Sequence, residues 1–281
     1  MGARRPVASR KDGRGLEQPA LRRVHRGLPP IGYRVLIRLI GSLLFWAFLL
    51  TSSLVLFPIA ALLWLFTIGF DSRRRILHAF TSLWASLYTW LNPAWPVRVI
   101  GREQLYTEGP AVIVANHLSL LDILVLFRLQ THFRWVSKVE NFRIPLIGWN
   151  MRLCDYIPLR RGDARSIHAM MRLCDQAIAG GSSIMMFPEG TRSASGRLRS
   201  FKLGAFEIAK RNHVPIQPIV LRGTAEALPK RGFILQGRHP ISIEVLEPIL
   251  ADEIEQYDVE AMTDRVRGIL LDSLEQGAQH P

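Results

Sequence analysis

The 281-residue chain has only two cysteines, Cys154 and Cys174, and both sit inside apolar patterns. That scarcity excludes a disulfide framework or a cysteine-rich metal site and fits a reducing compartment. No GxSxG occurs anywhere, which argues against a serine hydrolase built on a nucleophile elbow. The start lacks a secretory signal, because the apolar part begins late and runs too long. It also lacks a myristoylation signal, since Pro6 stands where Ser or Thr is needed. No internal repeat is present. Acidic residues are few, 23 against 36 Lys and Arg, for a formal charge of +13.

The positive charge is concentrated at one end. Residues 1 to 38 carry ten Arg or Lys against Asp12 and Glu17, a net +8. This charge adjoins a greasy stretch, so anionic lipid head groups fit it better than nucleic acid does. Residues 1–32, rich in Arg, Gly and Pro without apolar periodicity, read as a disordered basic arm.

From Leu39 to Phe70 there is no charged residue over 32 positions. As one straight helix the run would measure roughly 48 Å, beyond a hydrocarbon core of about 30 Å. Ser52-Ser53 and Pro58 lie near its middle, where a turn would divide it. Arg34 and Arg38 precede it and Arg73, Arg74 and Arg75 follow, so both flanks favour the cytoplasmic side. The expectation is a re-entrant hairpin. Residues 76–92 add an amphipathic helix with Leu77, Phe80, Trp84, Leu87 and Leu91 on one stripe, lying on the bilayer or on the globular part. Residues 33–95 thus read as membrane-anchoring helices.

From residue 96 to 281 short β-branched runs alternate with helical stripes. Val97 to Ile100, Ala111 to Ala115, Trp135 to Ser137, Ser183 to Phe187, Ile216 to Leu221 and Ile241 to Leu246 read as strands. Ile167, Met170, Met171, Cys174 and Ile178 form one helical stripe and Phe201, Ala205 and Ile208 another. The alternation predicts an α/β domain with a mostly buried mixed sheet flanked by helices. The tail from about Gln276 is expected to fray.

Two constellations carry chemistry. Asn116-His117-Leu118-Ser119-Leu120-Leu121-Asp122 follows a buried strand. A neutral imidazole there can take a proton from an alcohol, and a carboxylate one turn along can fix its tautomer. Ser119 followed by Asp122 fits a helix capping box equally well. Phe187-Pro188-Glu189-Gly190-Thr191-Arg192 leaves another strand, and its Arg offers a bidentate fork to phosphate while Glu accepts hydroxyl protons. The competing reading is a surface turn with a local ion pair.

Taken together, these blocks resemble the glycerolipid acyltransferase family of the NHxxxxD type. The resemblance rests on Asn116-His117 with Asp122, a Lys138 segment with Pro145 and Gly148, Arg160, Phe187 to Arg192, Phe201 to Ala205, and Val214 to Ile219. It spans roughly residues 76 to 250. It implies His117 as the general base and Asp122 as its orienting partner. It also implies that Glu189, Gly190, Thr191 and Arg192 bind the acceptor, with Arg160 and Lys138 near its phosphate. No metal or cofactor is implied. The implied reaction moves a fatty acyl group from acyl-CoA or acyl carrier protein to a lysolipid hydroxyl, 1-acylglycerol-3-phosphate giving phosphatidic acid, at the cytoplasmic face of the inner membrane. Another lysolipid such as lyso-ornithine lipid, or an inactive membrane-binding protein, is the alternative. In the second block the pair Arg160-Arg161 leaves open which arginine aligns.

Overall fold

The computed structural model describes residues 2, 31–193, 195–230 and 232–279. The basic arm expected over residues 1–32 therefore lies almost wholly outside the described residues. Two helices come first, α1 (Ile31–Thr67) and α2 (Arg75–Trp90). Then follow β1 (Val97–Ile100), β2 (Val112–Ala115), α3 (Leu121–Leu126), β3 (Phe133–Lys138), α4 (Ile147–Leu153) and β4 (Ile157–Leu159). The remainder is α5 (Ala164–Ala179), β5 (Ser183–Met186), α6 (Gly204–Arg211), β6 (Ile216–Arg222), α7 (Thr224–Ala227), β7 (Ile241–Val245), α8 (Ala251–Glu255) and α9 (Val259–Gln279).

The strands found among the described residues form one sheet in the order β1-β7-β6-β2-β5-β3-β4. All neighbours are parallel except β6 and β7. Helices cover both faces, so the central strands are apolar on both sides, as Val112 to Ala115 illustrates with every residue buried. On one face Leu77, Trp95, Leu121, Phe133 and Met185 pack with α1 to α4. On the other, Cys174, Ile184, Phe206 and Leu270 pack with α5, α6 and α9. The mixed α/β sheet is the expected one. β4 is additional, a three-residue edge strand holding Pro158, where a missing N–H is tolerated. α9 continues to Gln279, and the rest of the tail expected to fray lies outside the described residues.

The hairpin expected inside residues 39–70 is corrected. α1 is one continuous helix of 37 residues with Pro58 inside it, about 55 Å long. Ser52 and Ser53 do not open a turn, because their hydroxyls donate to Phe48 O (2.6 Å) and Leu49 O (2.5 Å) in the helix's own backbone. The reversal falls after Thr67 instead, where the Asp71 carboxylate accepts the N–H groups of Arg75 (3.0 Å) and Ile76 (2.8 Å) at the start of α2. α2 returns along α1, with Ser52 Oγ 2.9 Å from the Tyr88 hydroxyl, and buries Leu77, Trp84 and Tyr88. The amphipathic helix thus lies on the globular part.

α1 also touches that part along its length. Arg38 donates to Gln236 Oε1 (3.1 Å), Ser42 Oγ accepts from Leu235 N (2.9 Å), and Trp46 Nε1 donates to Phe233 O (2.7 Å). Near its far end Phe57 stacks obliquely on Trp149 at 5.5 Å. Its outer face stays bare, with Leu43 70% and Phe66 73% exposed. By length and composition α1 qualifies to cross a membrane.

His78, buried on α2, donates from Nε2 to Thr131 O and accepts the Tyr156 hydroxyl at Nδ1, both at 3.0 Å. Burial, reinforced by neighbouring His132, pushes its pKa down to about 3. The unfolded chain takes up this proton below its ordinary 6.5 and the folded chain does not, so stability is full above that pH and falls as pH drops. The expected loss from pH 7 to pH 4 is about 3 kcal/mol from this one group. Urea midpoints across that range check it: His78→Gln should flatten the dependence, and an equally steep profile in the variant would refute the assignment.

Candidate active site

Strand β2 ends in a lock. The Asn116 amide donates to Leu221 O (2.9 Å) and accepts Leu221 N–H (2.7 Å) on adjacent β6. His117 follows at the carboxyl edge of the sheet, where α/β proteins assemble their sites. Asp122, in the first turn of α3 and 0% exposed, gathers three donors on Oδ2: His117 Nδ1–H (2.8 Å), Leu118 N–H (2.6 Å) and Ser119 N–H (2.8 Å). Ser119 Oγ accepts Leu121 N–H at 3.2 Å and donates to Leu228 O at 2.6 Å. Capping box and base orienter are therefore one structure, since the same carboxylate ties the helix start and fixes the imidazole.

With Nδ1 committed to Asp122, Nε2 of His117 is the basic nitrogen and has no hydrogen bond among the described residues. The ring lies flat on Phe187, centroids 3.9 Å apart and planes 6° from parallel. Trp135 backs Phe187 at 5.4 Å. His117 opens into a cavity of about 290 Å³ lined by Trp84, Leu121, Leu124, Met151, Phe187 and the α1 residue Leu49 among others. The space is largely apolar.

The loop after β5 grips His117 by its backbone. Glu189, 3% exposed, accepts His117 N–H on Oε1 (2.7 Å) and Arg199 N–H on Oε2 (3.0 Å). Ser193 N–H donates to His117 O at 2.8 Å. Burial raises the Glu189 pKa, and the two N–H bonds pull it back. Each oxygen thus holds one backbone N–H, so Glu189 clamps the loop around His117 and keeps further acceptor capacity on both oxygens. Gly190 turns the loop at φ +69°, a conformation that favours glycine. Thr191 and Arg192 are half-buried, and Lys230 Nζ holds Arg192 O at 2.6 Å.

Lys138 lines the cavity, 3.3 Å from Glu140. Of the arginine pair, Arg161 lines it and Arg160 does not. Both arginines directly follow the edge strand β4, which ends at Leu159. Gly190, Thr191 and Arg192 stand outside the lining. The Phe187 stack and Arg161 went unassigned in the sequence, although the Arg160-Arg161 ambiguity pointed at the latter.

A family model described as Acyltransferase matches residues 96–222, which include His117, Asp122, Lys138, Arg161, Phe187 and Glu189. The chain is 32% identical over 199 residues to a 1-acyl-sn-glycerol-3-phosphate acyltransferase of Limnanthes alba, covering 70% of this chain and 68% of that protein. The chain belongs to the glycerolipid acyltransferase family. Identity reaches 40% over 197 residues with a Chlamydomonas reinhardtii protein named 1-acyl-sn-glycerol-3-phosphate acyltransferase, covering 69% of this chain. It reaches 42% over 186 residues with a chloroplastic one of Arabidopsis thaliana, covering 66%. The chain spans only 59% and 52% of those two relatives. The crystal structure of the 1-acyl-sn-glycerophosphate acyltransferase from Thermotoga maritima shares the fold, with a TM-score of 0.69, 23% identity, and coverage of 85% of this chain and 97% of that one.

Proposed function

We propose that this acyltransferase moves a fatty acyl group from an acyl thioester, acyl-CoA or acyl carrier protein, to the free hydroxyl of 1-acylglycerol-3-phosphate, giving phosphatidic acid. The observation that carries the reading is the basic Nε2 of His117, oriented by buried Asp122, at the mouth of an apolar cavity. The acceptor hydroxyl gives its proton to Nε2, and its oxygen attacks the thioester carbonyl while Asp122 stabilises the imidazolium. The tetrahedral adduct collapses, the C–S bond breaks, and the thiolate takes the proton from the imidazolium. Attack is direct. Ser119, the hydroxyl between His117 and Asp122 in the chain, is buried and already bonded to Leu228 O, and burial pushes the thiols of Cys154 and Cys174 up to about 12, far from a nucleophilic thiolate.

The apolar cavity takes the acyl chain, and Lys138 and Arg161 meet the acceptor's phosphate. Arg192 is a second contact from the loop that Glu189 holds. Arg161→Ala is expected to raise the acceptor KM about tenfold or more, the usual cost of a charge-assisted hydrogen bond, whereas Arg160→Ala leaves it within about twofold. Steady-state kinetics at saturating donor decide, and the opposite ranking would return the role to Arg160.

α1 lies flat on the cytoplasmic face, its bare apolar side in the lipid. A crossing orientation would carry the residue 233–236 segment and α4, both packed on α1, into the hydrocarbon. A lysolipid then enters sideways while the thioester arrives from water. The decisive assay offers lysophosphatidate, lyso-ornithine lipid and other lysolipids with both donors and scores product mass. Phosphatidic acid is expected. No product from lysophosphatidate with either donor would sink the assignment.

A further inference from the structure

A basic face adjoins the catalytic cavity. Arg160 and Arg161 lead from β4 into α5, and Arg165 and Arg172 follow on α5, seven residues apart and therefore on one line of the helix, about 10 Å from one to the other. That line points outward, because Met170, Met171, Cys174, Ala177 and Ile178 occupy the buried side. Arg199 and Lys202 come from the segment tied to the loop after β5: Arg199 N–H donates to Glu189 Oε2 (3.0 Å) and Lys202 N–H to Pro188 O (2.8 Å). The two groups adjoin where α6 starts at Gly204 against Met171 of α5. All six cations are exposed, and none forms an ion pair among the described residues. The one acid within residues 160–174 is Asp163, which caps α5 by accepting Ser166 N–H, and residues 190–206 contain none. Helix stability does not account for Arg165, since a cation in the first turn opposes the helix dipole.

Unpaired cations on one face draw an anionic partner. α1 and α2 pack on one side of the sheet, α5 and α6 on the other, so this face is turned away from the bare apolar side of α1 and meets a soluble partner. Arg161 joins it to the chemistry, being both exposed and part of the lining of the cavity at His117. Of the two soluble thioester donors, coenzyme A brings a few phosphates on a small nucleotide. Acyl carrier protein brings an acidic surface broad enough to meet α5 and the residue 199–202 segment together. We propose that this face docks acyl carrier protein, with the acidic domain seated against Arg165 and Arg172 and its thioester arm entering past Arg161 to His117. The inference rests on the acyl-transfer reading and names the donor for which the surface is built. The charges steer encounter and orient the carrier, and the acyl transfer itself is unchanged.

The test gives the full-length protein lysophosphatidate as acceptor and a palmitoyl thioester of either acyl carrier protein or CoA as the varied donor. Arg165→Glu combined with Arg172→Glu reverses two charges that belong neither to the buried side of α5 nor to the cavity lining. The double variant is expected to lose about tenfold or more in kcat/KM with the carrier-protein donor, chiefly through KM, and to keep the CoA reaction within about twofold. Added salt is expected to slow the wild-type carrier-protein reaction at low donor and to leave the variant's nearly flat, because exposed charges are screened. An equal loss with both donors overturns the proposal, since the two arginines would then serve the CoA phosphates or the fold. No loss with either donor overturns it as well. A wild type that uses palmitoyl-CoA and not the carrier-protein donor overturns it without recourse to the variant. Transfer from neither donor overturns the functional reading and this proposal together, whereas wild-type transfer from CoA confines any failure to the docking face.

Discussion

His117→Ala should lower acyl transfer by about 10²- to 10⁴-fold, the contribution of a positioned general base, while the protein stays folded and membrane-bound. The backbone of residue 117 explains why the loss is confined to chemistry. Its N–H is held by Glu189 and its C=O by Ser193 N–H, and neither bond involves the imidazole. Alanine keeps both. What disappears is the nitrogen that accepts the alcohol proton, the ring face packed on Phe187 and one of the three donors on Asp122 Oδ2. Product formation, vesicle flotation and thermal midpoint should be measured on one preparation. Activity within tenfold of the parent would end the base assignment.

The second large effect is expected at Asp122. Asp122→Asn should cost up to about 10⁴-fold in kcat, with KM for both substrates nearly unchanged. The amide oxygen can take the place of Oδ2 and accept the N–H groups of Leu118 and Ser119, so the loop survives. The amide nitrogen then occupies the site of Oδ1, which is buried and has no partner among the described residues. Charge is what the substitution removes, and an imidazolium forming beside a neutral amide loses its stabilising partner. Asp122→Ala separates the roles. It leaves two backbone donors unpaired and should add a loss of about 1–3 kcal/mol in stability for each. If Asp122→Asn matched the parent in kcat, the carboxylate would be a cap alone.

The contrast between these residues and their neighbours indicates what is readable from sequence. His117 and Asp122 meet because only four residues lie between them across one turn, a local relation that spacing encodes. Glu189 reaches His117 across 72 residues, and nothing in its surroundings distinguishes a clamp from an acceptor contact. The strands within residues 97–245 were legible from β-branched runs. β4 was not, because three residues with a central Pro158 carry no period. α1 misled through Ser52 and Ser53, whose hydroxyls bond back to the preceding turn, and through Pro58, which sits inside the unbroken helix. Which of Arg160 and Arg161 reaches the cavity lining turns on how the chain leaves β4, which packing sets.

Asn116 bears on how the sheet stops. Its side-chain amide repeats a peptide group's donor and acceptor, so it adds one false rung to the β2–β6 ladder beyond the last true one. The main chain at that point is released from pairing one residue early, free to bend away while its neighbour strand still believes it present. Aspartate would set like against like at the Leu221 carbonyl, leucine would leave both groups bare, and glutamine would overshoot by a methylene. The site is hung from the sheet by mimicry of the backbone.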